Sequence, residues 1–243
     1  MWKKTANYLR MLLLSLSFIF LLRSGTVSAA VMGAAENYEL GEEYRGNIYN
    51  DEKVRYFRFA LQEKSHVTLY LNCAGKGCTG AIYNELGKEV LRKGDLVFET
   101  NFFTGWSSAQ LSRTLPPGVY CLGIWNEGKW KWQNYQFSFR VQAQKQLRLE
   151  KGVLDSLDSA AAGQLTVNCE AAENAIGYRI EYSMDERLRE GVNIVHSPTA
   201  EKTIKGLRKG KRYYVKVCPY TIYDDGTYVY GENSFVKAAV TKK

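Results

Sequence analysis

Between Gly177 and Pro219 the chain spells two β-strands and the corner that leads into the second. Gly177-Tyr178-Arg179-Ile180-Glu181-Tyr182-Ser183 and Arg212-Tyr213-Tyr214-Val215-Lys216-Val217-Cys218-Pro219 both alternate with period two, which sends every second side chain to the same face of a sheet. Ahead of the second strand, Leu207-x-x-Gly210-x-x-Tyr213-x-Val215-x-Val217 spaces a leucine, a turn glycine and a tyrosine as at the corner where a sandwich strand crosses between sheets. Tyr213, Val215 and Val217 are therefore expected to point inward. A domain organised around such strands is all-β.

The N-terminus carries a different signal. Lys3, Lys4 and Arg10 precede an apolar run from Met11 to Leu22, and Val27-Ser28-Ala29-Ala30 offers small residues for signal peptidase. The run holds 12 residues, short of the ~20 that span a bilayer. Residues 1–30 are thus expected to be a signal peptide, leaving a mature N-terminus at Ala30 or Val31, secretion or cell-surface association, and no stable membrane insertion. Residues 1–30 hold four basic and no acidic residues, so their removal lowers the net charge from +8 to +4. Neither half then has the concentrated basic character of a nucleic-acid binder. The one basic cluster, Lys205-Gly206-Leu207-Arg208-Lys209-Gly210-Lys211-Arg212, reads first as a solvated turn and second as an attractor for an anionic wall polymer or polysaccharide.

Residues 31–144 read as one β-sandwich module, 145–152 as a linker and 153–243 as a second sandwich. In the first module Phe57, Phe59 and Leu61 share one strand face, as do Val67, Leu69 and Leu71, and again Tyr120, Leu122 and Ile124 after Pro116-Pro117-Gly118. The segments Val54–Leu61, Val67–Leu71, Ile82–Val90, Leu115–Ile124 and Tyr135–Val141 resemble successive strands of a bacterial pre-peptidase C-terminal domain. That resemblance implies a jelly-roll-like sandwich serving accessory binding, folding or export. The family's acidic calcium pattern is missing, since Asp51 and Glu52 stand beside Lys53 without an Asp-x-Asp run and loop glycine, so no metal and no other cofactor is expected.

The second module resembles a fibronectin type III domain, an immunoglobulin-like sandwich, over 153–241. Leu165–Cys169 reads as strand B, Gly177–Ser183 as C, Ala200–Ile204 as E, Arg212–Pro219 as F and Phe235–Thr241 as G. The resemblance places a tryptophan where Cys169 stands, so Tyr178, Ile180 or their neighbours must fill that space. The turn between F and G, Tyr223-Asp224-Asp225-Gly226-Thr227-Tyr228, holds no Arg-Gly-Asp, so integrin-type recognition is not implied.

Five cysteines in an exported chain allow two disulfides with one left over. Cys73 and Cys78 enclose Ala74-Gly75-Lys76-Gly77 and form the preferred pair. Alternation turns Cys121 away from Cys73, and it places Cys169 inward but Cys218 outward. No His-Glu-x-x-His run, Gly-x-Ser-x-Gly elbow or phosphate-binding loop is present. His66 is expected to face solvent on a strand, and His196 to lie in a loop before Ser197-Pro198.

The most suggestive binding feature is aromatic. Trp125, Trp130, Trp132 and Tyr135 flank Asn126-Glu127-Gly128-Lys129, which reads as a turn between the last two strands of the first module, and Trp106 is assigned to another loop. Trp130 and Trp132, two apart on a strand, would share a face and stack on a sugar ring, the competing reading being a cap on the sandwich core. The expected protein is a secreted, non-catalytic bacterial module pair that binds an extracellular glycan or a matrix or surface protein, with the second module as spacer. The alternatives are an accessory component of a secreted protease or glycan-degrading enzyme, or a structural envelope protein.

Overall fold

The computed structural model describes residues 29–49, 54–75, 77–127 and 135–243. The chain divides after Gln146 into two compact units. The first opens with a short helix, α1 (Ala29–Ala34), followed by β1 (Glu36–Asn37), β2 (Tyr44–Ile48), β3 (Val54–Leu61), β4 (Ser65–Ala74) and β5 (Cys78–Asn84). It continues with β6 (Glu89–Leu91), β7 (Glu99–Thr100), β8 (Trp106–Leu115), β9 (Gly118–Asn126) and β10 (Tyr135–Lys145). These strands form two five-stranded sheets, β1-β3-β9-β5-β6 and β2-β10-β4-β8-β7.

The inward halves of the alternating strands make the core. Phe57, Phe59 and Leu61 from β3, Val67, Leu69 and Leu71 from β4, and Tyr120, Leu122 and Ile124 from β9 are all buried in one cluster. Phe137 and Phe139 of β10 join them, with the Phe139 ring 4.7 Å from Phe57 and Tyr44 4.6 Å from Phe57. Cys73 and Cys78 are joined in a disulfide that ties the end of β4 in one sheet to the start of β5 in the other. The intervening glycines are needed there. Gly75 has φ +76°, and a Cβ on Gly77 would come within 2.1 Å of the Tyr135 ring.

Several local expectations change. Ile82–Val90 is a hairpin instead of one strand, because the Asn84 carboxamide accepts the N–H groups of Leu86 and Lys88 and Gly87 takes φ +74°. Trp106 begins β8, β9 and β10 lie in different sheets, and residues 128 and 129 of the turn expected between them lie outside the described residues. His66 is buried, contrary to expectation, because β4 lies in mid-sheet with Thr114 of β8 and Gln144 of β10 paired on either side. Asn50, Asp51 and Glu52 lie outside the described residues. The outward face of β9 is covered too: Met32 of α1 closes over Ala81, Tyr83 and Cys121. Burial there pushes the Cys121 thiol up to about 11 and the Tyr56 phenol up to about 12.

The second unit contains β11 (Leu154–Asp158), β12 (Leu165–Cys169), β13 (Gly177–Ser183), β14 (Asn193–Ser197), β15 (Glu201–Ile204), β16 (Arg212–Ile222), β17 (Tyr228–Tyr230) and β18 (Lys237–Val240). Its sheets are β11-β12-β15 and β14-β13-β16, with β17 and β18 both paired to β16. This is the A-B-E and C′-C-F-G order of a fibronectin type III sandwich. Two β-sandwiches in tandem thus make the molecule all-β.

Tyr213, Val215 and Val217 are buried, and the Tyr213 hydroxyl accepts the Arg208 N–H at 3.0 Å to close the corner. Tyr178 fills the interior near Cys169, its hydroxyl donating to Glu170 O and accepting from Ala172 N, each at 2.9 Å. Strand G is split: β17 and β18 bracket a stretch in which Ser234 supplies both a backbone N–H to Val217 O and a hydroxyl that accepts the Val217 N–H. Cys169 and Cys218 are free thiols, and Cys218 lies on the outward side of β16, 3.1 Å from Gly231 O. His196 sits on edge strand β14, with its ring 5.5 Å from Tyr220.

Candidate functional site

The outer face of the sheet β2-β10-β4-β8-β7 carries the polar half of each strand's alternation. Pairing sets these side chains in rows. Arg45, Ser138, Asn72, Ser108 and Glu99 lie in register across all five strands. At about 4.8 Å per strand the row is roughly 19 Å long. The next row places Arg140, Tyr70 and Gln110 side by side, and on the other flank Asn47 and Gln136 lie near Trp106, which opens β8. Because a sheet face repeats every second residue, these groups are brought together by pairing between strands far apart in the chain.

Two open depressions mark this face, of about 690 Å³ and about 650 Å³, and both are lined by Glu43 and Asn72. Tyr70, Gln110, Glu99 and Arg140 line the first; Arg45, Gln136, Ser138 and Trp106 line the second. The lining is pre-ordered. Asn72 Nδ2 donates to Ser138 Oγ at 3.2 Å, and the Arg140 guanidinium lies 4.9 Å from the centre of the Tyr70 ring. The Arg45 guanidinium, hydrogen-bonded to Glu43 at 2.9 Å, holds that carboxyl below the usual range. The face carries as many guanidinium groups, Arg45 and Arg140, as carboxylates, Glu43 and Glu99, and Glu43 is ion-paired with Arg45.

The loop between β7 and β8 stands at the Trp106 end, where Asn101 N donates to Trp106 O at 2.8 Å. It presents Phe102 and Phe103 at 93% and 102% exposure, so both rings are free to meet a ligand. The loop is shaped by the Asn101 carboxamide, which accepts the N–H groups of Phe103 and Thr104, and by Gly105 at φ +71°.

The aromatic residues singled out in the sequence are placed elsewhere. Trp125 is half-buried on β9 of the other sheet, its ring edge-on to Tyr56 and inclined to Tyr83. Tyr135 is a correction: it is buried in the core, its ring beside Gly77, and is not available to a ligand. Trp125 and Tyr135 therefore do not combine into one platform, and Trp130 and Trp132 lie outside the described residues. Sequence reasoning missed Tyr70, Asn72, Gln110 and Ser138, although the signal was present as the polar positions that alternate with the core residues.

No protein-family model matches the chain, and no curated protein sequence matches it significantly. Among solved structures it is similar to the pre-peptidase C-terminal domain of a collagenase from Bacillus anthracis, with 12% identity, 44% of this chain and 94% of that chain covered, and a TM-score of 0.35. It is similar to the sixth fibronectin type III domain of human fibronectin type III domain containing protein 3, with 23% identity, coverage of 41% and 91%, and a TM-score of 0.32. A β-1,2-glucanase from Parabacteroides distasonis matches 76% of this chain with 29% of its own length, at 12% identity and a TM-score of 0.32. The fold assignment itself rests on the strand order and register described above.

Proposed function

We propose that the first unit is a non-catalytic binding module for a linear, largely uncharged glycan, held across the outer face of the sheet β2-β10-β4-β8-β7, with the second unit as spacer. The observation that carries this reading is the pair of depressions joined at Glu43 and Asn72. An extended polymer with many hydroxyls needs a long open face, side chains that both donate and accept, and a few aromatic surfaces. Asn72, Gln110, Gln136, Ser108 and Ser138 supply the hydrogen bonds. Tyr70 and Trp106 supply apolar surface with a polar handle. The balanced charges disfavour a strongly ionic ligand. An extracellular setting is supported by the signal-like N-terminus and the disulfide, since such bridges persist in oxidising compartments. Among the described residues no helix is long and apolar enough to cross a membrane.

The test is a glycan and matrix-protein array probed with purified residues 31–243, followed by titration calorimetry on the best glycan. The double variant Asn72→Ala, Gln110→Ala removes two hydrogen-bonding side chains, one half-buried and one exposed, and should cost about 2 kcal/mol of binding, roughly thirtyfold in Kd, with only the small loss of stability that the Asn72–Ser138 hydrogen bond represents. Undiminished binding by that variant, together with loss of binding on Trp130→Ala, Trp132→Ala, would move the site off this face. Retention of matrix proteins and no glycan would overturn the ligand class.

A further inference from the structure

In the sequence the basic run at 205–212 reads first as a solvated turn and second as an attractor for an anionic polymer; the fold adds to it. The turn between β11 and β12, the turn between β15 and β16 and the segment after β18 meet at one end of the second unit. Leu207 N donates to Gly163 O at 2.9 Å, Gly210 N to Thr241 O at 3.0 Å and Lys242 N to Ser159 Oγ at 2.8 Å. Thr241 Oγ1 closes the group by donating to Arg208 O at 2.7 Å. Lys205, Arg208, Lys209, Lys211, Arg212, Lys242 and Lys243 thus share one pole, and all seven are exposed. Asp158 is the one acidic side chain within residues 158–164, 205–212 and 240–243.

Charge is divided sharply along this sandwich. Residues 147–243 hold 15 basic and 13 acidic side chains, so the part outside the three segments carries 8 basic against 12 acidic. The turn between β13 and β14 lies at the same end, since Ser183 pairs with Tyr214, two residues from Arg212. It brings Arg187 and Arg189 together with Asp185, Glu186 and Glu190, and the Asp185 carboxylate is already engaged by the backbone N–H groups of Arg187, Arg189 and Glu190. The end as a whole remains positive, with 9 basic side chains against 4 acidic. Turns at the opposite end carry Glu170, Glu173, Asp224 and Asp225. Among the described residues none of the seven pole cations is ion-paired, although Lys242 Nζ donates to Ala160 O at 3.1 Å.

We infer that this pole is a second binding surface, for an anionic polysaccharide carrying sulfate, phosphate or carboxylate groups along its length. Like charges gathered at one end repel one another, and a flexible polyanion relieves that repulsion while releasing its own condensed counterions. The pole presents no exposed aromatic ring on which a nucleic-acid base would stack. Leu207 packs toward the core instead of projecting for insertion into a bilayer. The acidic remainder of the unit repels the same ligand, so binding is directed to this end.

The experiment uses residues 31–243 with dextran sulfate and polygalacturonate as probes and neutral dextran as control, titrated over a series of salt concentrations. Both polyanions should bind and dextran should not, with log K falling linearly as log salt rises. Arg208→Gln, Lys209→Gln, Lys211→Gln should weaken binding about tenfold or more at low salt and flatten the salt slope by roughly two to three. The equal-charge control Lys64→Gln, Lys88→Gln, Arg92→Gln, at exposed positions of the first unit, should leave affinity within about twofold. Equal loss in both triple variants would overturn the pole as a site. So would binding to phosphatidylglycerol vesicles or single-stranded DNA in the absence of binding to either polysaccharide. Neutral-glycan binding by the first unit is measured separately, and its failure leaves this result intact.

Discussion

The two sandwiches weight ring packing and tyrosine hydroxyls differently. In the first unit Phe57, Phe137, Phe139 and Tyr44 interlock between the sheets, and a disulfide clamps one strand end to the opposite sheet. In the second, the buried tyrosines act through their hydroxyls: Tyr213 holds the turn at Arg208 and Tyr178 holds the backbone at Glu170 and Ala172. The difference extends to the surface. The first unit places hydrogen-bonding side chains on a sheet face, whereas the second concentrates charge in its turns. One architecture therefore presents two kinds of surface, a polar sheet face and a charged set of turns, because faces and turns are built from different positions of the same strands.

The comparison breaks most visibly at Phe139. Truncation to alanine removes a fully buried ring and should cost about 3 to 5 kcal/mol. All tryptophans of the chain lie before Gln146, so tryptophan fluorescence reports on the first unit alone. The fluorescence transition should fall while the remaining far-ultraviolet transition stays in place; equal shifts in both would show that the units are not stabilised separately. A smaller effect is expected from Cys73→Ala, Cys78→Ala. A loop this short returns about 2 kcal/mol in the chain-entropy picture, again confined to the fluorescence transition. Thiol counting on unfolded protein should give three free thiols before reduction and five after it, and five from the start would remove the disulfide from the comparison. The smallest effect sharpens the other side. Tyr213→Phe keeps the ring and removes the acceptor for Arg208 N–H, so the second unit should lose about 1 kcal/mol while fluorescence is unmoved. A cost near zero would mean that the corner is held by ring packing alone.

The inward halves of these strands were legible because alternation is a local property. Phe57, Phe59, Leu61, Val67, Leu69 and Leu71 could be assigned to the core from spacing, and so could Tyr213, Val215 and Val217. Local chemistry also disclosed the Cys73–Cys78 pair, whose partners are near in sequence with glycines between them. His66 was misjudged for the complementary reason. An outward position becomes buried when its strand is central and flanked on both sides, and strand order is not written in any one segment.

The candidate sites follow the same division. Tyr135 looked like part of a binding cluster because it is near tryptophans in sequence, yet its strand crosses into the other sheet and carries its ring inward. Asn72, Ser138 and Ser108 are scattered along the chain, and their row exists through strand pairing alone. The basic pole likewise joins residues near 205 to Lys242 and Lys243 through turns that meet at one end. By itself the sequence determined periodicity, the tyrosine corner, the short-range disulfide and the inward faces, since each depends on residues a few positions apart. Tertiary structure decided which outward residues share a surface and which are covered, because those depend on sheet order and on how distant strands pair.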